Sequence, residues 1–278
     1  MNNGLMMRLS KEQIENFQSL VWDFYTLYGR DFEWRQTEDP YAILVSEVML
    51  QQTQTQRVLP KYEQWLSRFP SFYELADAPL KEVLLYWQGL GYNRRGKYLH
   101  EIAKRVVQEY GGKLPDCPKQ LEQLPGIGKY TAAAVSTFAF CQPNSFIETN
   151  IRTVYIVNFF QDQEKVHDKE ILPLITQTID QARPREWYYA LMDYGVMLKQ
   201  QLINPSRKSA HHVVQSKFEG SDRQIRGMIL RLLTENETAS LQELKKKIKR
   251  KPERIEKALR QLTNEGFLTM SEDIIRIS

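Results

Sequence analysis

The segment Leu124-Pro125-Gly126-Ile127-Gly128-Lys129-Tyr130-Thr131-Ala132 sets two glycines around one apolar residue and runs straight into helix formers. That spacing describes a tight turn between two helices. Gly126 and Gly128 both permit positive φ and carry no Cβ, so the amides between them can point outward at a phosphate or at a phosphate-bound monovalent cation. A helix starting near Gly128 adds the positive end of its dipole to the same oxygen. The chemistry open to this segment is the holding of a nucleic-acid backbone. A plain glycine turn between two packed helices is the simpler alternative.

Other reactive groups are sparse. Cys117 and Cys141 are the two cysteines of the chain. Two thiols cannot build a four-thiolate iron-sulfur or zinc site, and both read as reduced packing residues. His211 and His212 are adjacent, so their rings point in different directions, and no acidic or thiol partner stands at ligand spacing. No metal site is expected.

The elements that must position the hairpin read as helices almost throughout the first 215 residues. Ser10 with Gln13 forms a capping box ahead of Ile14, Phe17, Leu20, Val21, Phe24 and Leu27. Asp39-Pro40 opens a second helix through Val45, Ser46, Glu47, Val48, Met49 and Leu50. Further helices are predicted near 54–68, 80–88, 94–110, 118–123, 129–140, 150–160, 168–182 and 185–199. Phe218 to Asp222 reads as a linker. Three more helices near 223–235, 240–249 and 253–264 precede two β-like runs at 267–270 and 274–277. That is the order of a winged helix-turn-helix module. Its basic run, Lys245 to Lys251, can meet phosphates or serve as a solvated face.

Composition agrees with a soluble protein of two domains, expected at residues 1–218 and 219–278. A net charge of +4 suits a polyanionic partner. No apolar run approaches the ~20 residues of a membrane span, and residues 1–11 have no secretory h-region. A cytoplasmic, nucleoid-associated monomer without membrane contact is the expectation.

Three segments carry a resemblance. Val45-Ser46-Glu47-Val48-Met49-Leu50-Gln51-Gln52-Thr53-Gln54, Gly89-Leu90-Gly91-Tyr92 with Arg94-Arg95, and the hairpin together resemble the HhH-GPD superfamily of DNA glycosylases. Within it, the first segment is most similar to the adenine DNA glycosylases of the MutY type. The likeness runs from about Phe32 to Gly195 and includes Trp34-Arg35 and Leu191-Met192-Asp193-Tyr194-Gly195. It implies an all-α, two-lobed helical HhH-GPD glycosylase fold with the small C-terminal winged helix-turn-helix domain appended.

The resemblance also implies roles. A base cannot be cut inside a duplex, so such an enzyme bends the DNA, extrudes the nucleotide and fills the gap. Gln52 and Tyr92 stand where wedge residues stand; a core aromatic is the alternative for Tyr92. Gly126, Gly128, Lys129, Arg94 and Arg95 join them as DNA-binding residues. Glu47 occupies the position of the acid that protonates the leaving base, with Val45, Val48, Met49 and Leu50 as apolar walls that raise a carboxyl pKa. Tyr130 would bridge acid and substrate. It stands where relatives resembling endonuclease III carry a Schiff-base lysine, which implies a glycosylase without efficient strand cleavage. Lys129 would point about 100° away around the helix.

The second carboxylate departs from the family pattern. Glu148-Thr149-Asn150 replaces an aspartate-glycine-asparagine string, so Glu148 would stabilise the sugar cation with Asn150 assisting. The extra methylene displaces a carboxylate by roughly 1 Å, a change that can cost on the order of 10²-fold in rate. Glu148 acting only as the N-terminal partner of the next helix is the alternative. The run Val196 to Pro205 contains no cysteine, resembling members without an iron-sulfur cluster, and residues 219–278 are too few for a Nudix-like domain. The substrate so implied is double-stranded DNA with a mismatch or oxidised base, most simply adenine opposite 8-oxoguanine or guanine. A thymine or uracil mismatch glycosylase and a catalytically impaired DNA-binding homologue are the rivals.

Overall fold

The computed structural model describes residues 7–203, 205–211 and 217–278. In chain order it contains α1 Lys11–Tyr28, α2 Glu33–Gln36, α3 Pro40–Leu50, α4 Thr55–Arg68, α5 Phe72–Asp77, α6 Leu80–Trp87, α7 Arg94–Tyr110, α8 Pro118–Leu121 and α9 Lys129–Phe140. There follow α10 Thr149–Phe159, α11 Asp168–Thr178, α12 Pro184–Gln201, a 3-10 turn at Pro205–Lys208, α13 Asp222–Glu235, α14 Leu241–Ile248, α15 Pro252–Asn264, β1 Leu268–Ser271 and β2 Ile274–Ile277. Among the described residues no helix is long and apolar enough to cross a membrane. Asn204 and His212 lie outside the described residues.

Local signals decide most boundaries. The hydroxyl of Ser10 accepts from the Gln13 amide at 3.2 Å while Gln13 Oε1 accepts from the Ser10 amide at 2.8 Å, closing the capping box of α1. Asp39 Oδ1 accepts from the Tyr41 amide at 3.0 Å and starts α3. The predicted helix over 168–182 stops instead at Thr178. Asp180 Oδ1 accepts from the amides of Ala182 and Arg183 at 3.0 and 3.1 Å, and that side-chain turn replaces helix just before Pro184. Two short helices, α2 and α5, are additions to the predicted set. Cys141 is exposed, in left-handed backbone at the end of α9, so it is not the packing residue expected; Cys117 is half-buried.

The chain folds into two compact units that are interleaved in sequence rather than successive as the 218/219 linker suggests. The first takes the residues up to Ile43, Asp116–Gln123 and those from Ile127 to the 205–211 segment. The second takes Leu44–Pro115, Leu124–Gly126 and the residues from 217 onward.

In the first unit α12 packs on α1, α9 and α10. Phe17 meets Tyr155, Phe159 and Trp187 with ring centroids 5.3, 4.9 and 6.0 Å apart. A buried carboxylate ties the chain's early and late parts together: Asp193 accepts from Arg30 and from both terminal nitrogens of Arg35 at 2.6–2.8 Å. Burial pushes the Asp193 pKa up, but the hydrogen bonds and charge of Arg35, with Arg30, outweigh it and hold the carboxyl below its usual range.

In the second unit the core of the C-terminal segment extends into α6. Ile225, Ile229 and Leu233 of α13, Leu244, Ile255, Leu259, Phe267 and Ile275 share one buried cluster with Leu80 and Leu84 of α6. β1 and β2 pair antiparallel, Leu268 opposite Ile277, and Ala239 bridges to Ile275. On α7, His100 is 4% exposed beneath the chain at Ala76 and Ala78.

Burial, then the Lys104 charge, lowers the His100 pKa from 6.5 to about 4. The folded chain therefore keeps a neutral imidazole where the unfolded chain takes up a proton, so stability falls as pH drops from about 6.5 toward 4. The expected loss from this residue is about 3 kcal/mol. Urea titrations at pH 7 and pH 4 on the natural chain and on His100→Gln check it: the variant should show a shallower pH dependence by that amount.

Candidate active site

Glu47 is the single position from Tyr41 to Met49 on α3 that is not buried. Val45 and Met49 are fully buried and Val48 nearly so, which supplies the apolar neighbours expected around it. The helix ends at Leu50, three residues later.

The end of α3 is held by Arg95. Its guanidinium donates to the carbonyls of Val48, Met49 and Gln51 at 2.7, 3.0 and 2.6 Å, to Thr53 Oγ1 at 3.0 Å, and to the carbonyls of Leu90 and Gly91 at 3.1 and 3.2 Å. Val48 and Met49 are among the helix's last carbonyls, which have no intrahelical partner, and a cation there also complements the dipole. Arg95 is therefore a buried clasp rather than the outward phosphate contact expected. Burial pushes its pKa down to about 10, so it stays charged at neutrality.

The two residues expected as wedges flank this clasp. Gln52 and Tyr92 are exposed, with φ of 54° and 47°, a left-handed backbone that non-glycine residues seldom adopt. The core alternative for Tyr92 falls, since it is 36% exposed. Arg94 is exposed and donates to Glu265 at 2.6 Å. Gln52, Tyr92, Arg94, Arg95 and Gly126 all line one cleft of about 1190 Å³ in the second unit.

The hairpin divides its glycine roles. Gly126 has φ of 72°, and a Cβ there would lie 2.2 Å from the ring of Tyr98. Gly128 differs from expectation: its φ is −94° with extended backbone, because it is the N-cap of α9, a position that takes non-helical extended geometry. Gly128 and Lys129 are exposed, and Tyr130 is half-buried, edge-on to Phe146 with centroids 5.7 Å apart.

Glu148 is the N-cap of α10. Its Oε2 accepts from the Asn150 amide at 2.5 Å and its Oε1 from Asn150 Nδ2 at 3.3 Å. The stretch before it is anchored from α12, where the Tyr188 hydroxyl donates to the Asn144 carbonyl at 2.7 Å and the Phe146 amide donates to the same hydroxyl at 3.3 Å. Lys199 Nζ donates to Asn150 Oδ1 at 2.7 Å. Burial lowers the Lys199 pKa and Arg152 adds to that, while Glu148 acts in the opposite sense. Gly195, one turn before Lys199, lets the helices touch: a Cβ there would lie 2.3 Å from the Asn150 carbonyl oxygen. Sequence reasoning reaches Lys199 only as a residue that is not cysteine; its i, i+4 relation to Gly195 is the signal that sets it beside Asn150.

The profile of HhH-GPD superfamily base excision DNA repair proteins matches residues 45–265. The chain belongs to that superfamily. An adenine DNA glycosylase of Mus musculus is 35% identical over 226 residues, which are 77% of this chain and 43% of the relative, so the chain spans less than half of that protein's length. A thymine/uracil-DNA glycosylase of Methanothermobacter thermautotrophicus is 30% identical over 185 residues, 66% of this chain and 84% of the relative. The solved structure of a thermostable thymine-DNA glycosylase superposes with a TM-score of 0.60 at 28% identity, covering 67% of this chain and 87% of the other.

Replacing Arg95 with methionine keeps bulk and strips six acceptors of their donor. We expect a loss of about 2–4 kcal/mol in urea unfolding, with Arg95→Lys recovering only part because an ammonium cannot reach as many acceptors.

Proposed function

We propose that this chain is a DNA glycosylase of base excision repair that binds double-stranded DNA, extrudes a base and hydrolyses its N-glycosidic bond without cutting the strand. The substrate read from the resemblance is adenine opposite 8-oxoguanine or guanine. The observation that carries the reading is the fixed carboxylate of Glu148, held on the N-terminus of α10 by Asn150 and neighboured by Lys199. A helix N-terminus favours negative charge at that point.

In this reading Glu47 gives its proton to a ring nitrogen of the adenine, with Tyr130 as the bridging hydroxyl. The bond from the sugar to the purine breaks, its electron pair leaves with the base, and the sugar becomes oxocarbenium-like. The negative charge of Glu148 stabilises that cation until water adds to it and releases a proton, with Asn150 keeping the carboxylate in place. The hairpin of Gly126, Gly128 and Lys129 holds the backbone, directly or through a monovalent cation. The reaction needs no redox cofactor. An iron-sulfur cluster has no donor set, since four thiolates are required and the chain has two cysteines, neither after Gly195. The protein would act as a monomer on nucleoid DNA in the cytoplasm.

A second reading, a thymine or uracil mismatch glycosylase, is favoured by the archaeal relative, of which the chain covers 84%. Single-turnover incubation with duplexes carrying A opposite 8-oxoguanine, A opposite G, T opposite G and U opposite G, followed by alkali, separates the two. Adenine release is expected; release of T or U alone would install the second reading, and tight binding with no release would leave a DNA-binding homologue. Glu47→Gln should slow release by at least on the order of 10²-fold. Glu148→Asp should slow it by roughly 10- to 100-fold if the site is built around glutamate, whereas a gain would mark a compromised site.

Strand cleavage gives an independent check. With Tyr130 in the place of a Schiff-base lysine, borohydride during turnover should trap little covalent adduct, and a high trapping yield would overturn the monofunctional assignment.

A further inference from the structure

The cleft that holds the wedge residues is built in part from the C-terminal segment. Arg223, Arg226, Gly227, Leu230, Arg231 and Thr234 line it from α13. Their spacing, i, i+3, i+4, i+7, i+8, i+11, is one continuous helical face. The opposite face of α13, Ile225, Ile229 and Leu233, is buried in the core shared with α6. Six arginines and one glutamate line the cleft, so it is strongly positive even with Arg94 and Arg226 both bound to Glu265. None of Lys245 to Lys251, the basic run conspicuous in the sequence, lines it.

Two details point to a ligand. The Arg223 guanidinium hydrogen-bonds the Tyr92 hydroxyl and lies 5.1 Å from that ring's centroid, so a cation of the C-terminal segment sits directly on the expected wedge. Gly227 stands inside α13, where glycine weakens a helix. A Cβ there would meet nothing within 4 Å, so no internal packing requires the glycine. A mid-helix glycine on an open, positive face suits close approach of a backbone from outside.

We infer that the glycine-arginine face of α13 is a second DNA-binding element, in which Arg223 and Arg231 hold phosphodiesters of the strand next to Tyr92 while Gly227 lets that strand lie close. The inference rests on the glycosylase reading for the identity of the polyanion. The C-terminal segment thereby serves the wedge cleft directly, with Arg231 exchanging its exposed i, i+4 partner Glu235, now at 2.8 Å, for a phosphate, while the lysine run lies off the cleft as a solvated face.

The test is equilibrium binding of an undamaged duplex across a salt series, with base release measured in parallel. Arg223→Gln with Arg231→Gln should weaken binding on the order of 10-fold and flatten the plot of log affinity against log salt by about two phosphate contacts. Neutralising Lys245, Lys246 and Lys247 to Gln should change both much less. Gly227→Leu should lower affinity at least 10-fold while the thermal midpoint holds or rises, a combination that a purely structural glycine would not give. An unchanged slope in the arginine variant, wild-type affinity in Gly227→Leu, or a larger effect from the lysines overturns the inference. If the natural chain binds duplex and releases base but these variants behave as wild type, only this inference fails; if the natural chain binds no duplex, the glycosylase reading fails with it.

Discussion

One guanidinium organises the second unit. Arg95 sits where α3 has run out of hydrogen-bond donors and where two loops bring their carbonyls together, and it answers five carbonyls and one hydroxyl at once. A planar fork with five N–H groups can do this; a point cation cannot. The same clasp flanks two residues with positive φ, Gln52 and Tyr92, whose backbone persists only where its surroundings over-determine it. Glu47 is the residue immediately before the first clasped carbonyl. Glu47, Gln52 and Tyr92 are thus positioned by one buried cation.

The first unit solves its own positioning problem with α12. Asp193 gathers Arg30 and Arg35, Gly195 allows contact with the Asn150 backbone, and Lys199 takes the Asn150 side chain. These residues fall along two turns of one helix. What bears on Glu148 is therefore not a shell of neighbours at random but the pitch of α12 set against the first turn of α10.

Much of this was legible. Caps are local, so Ser10 and Asp39 mark helix starts in the sequence as they do in the structure. The helices α2 and α5 escaped because four and six residues are too short for a 3.6-residue period to register. In the sequence Arg95 looks like a phosphate ligand, a cation after a glycine-rich loop, whereas its partners are mostly backbone carbonyls, which have no sequence signature. Gly128 looks like a second left-handed glycine because spacing does not distinguish a turn residue from an N-cap. The order of the C-terminal elements was plain, but the shared core with Leu80 and Leu84 depends on contacts some 140 residues apart in the chain, from Leu84 to Ile225, and no local pattern encodes that.

The interleaving of the two units bears on how the molecule is made. The chain passes between them after residues 43, 115, 123 and 126 and again between 211 and 217. A ribosome releases residues in order, so the apolar face of α6 emerges long before α13 exists to cover it. Leu80 and Leu84 must wait for α13 and the elements that follow it. The loop of Gly89 to Asn93, which follows α6 directly, shares its cleft with α13 and so completes its setting only after that helix has been made.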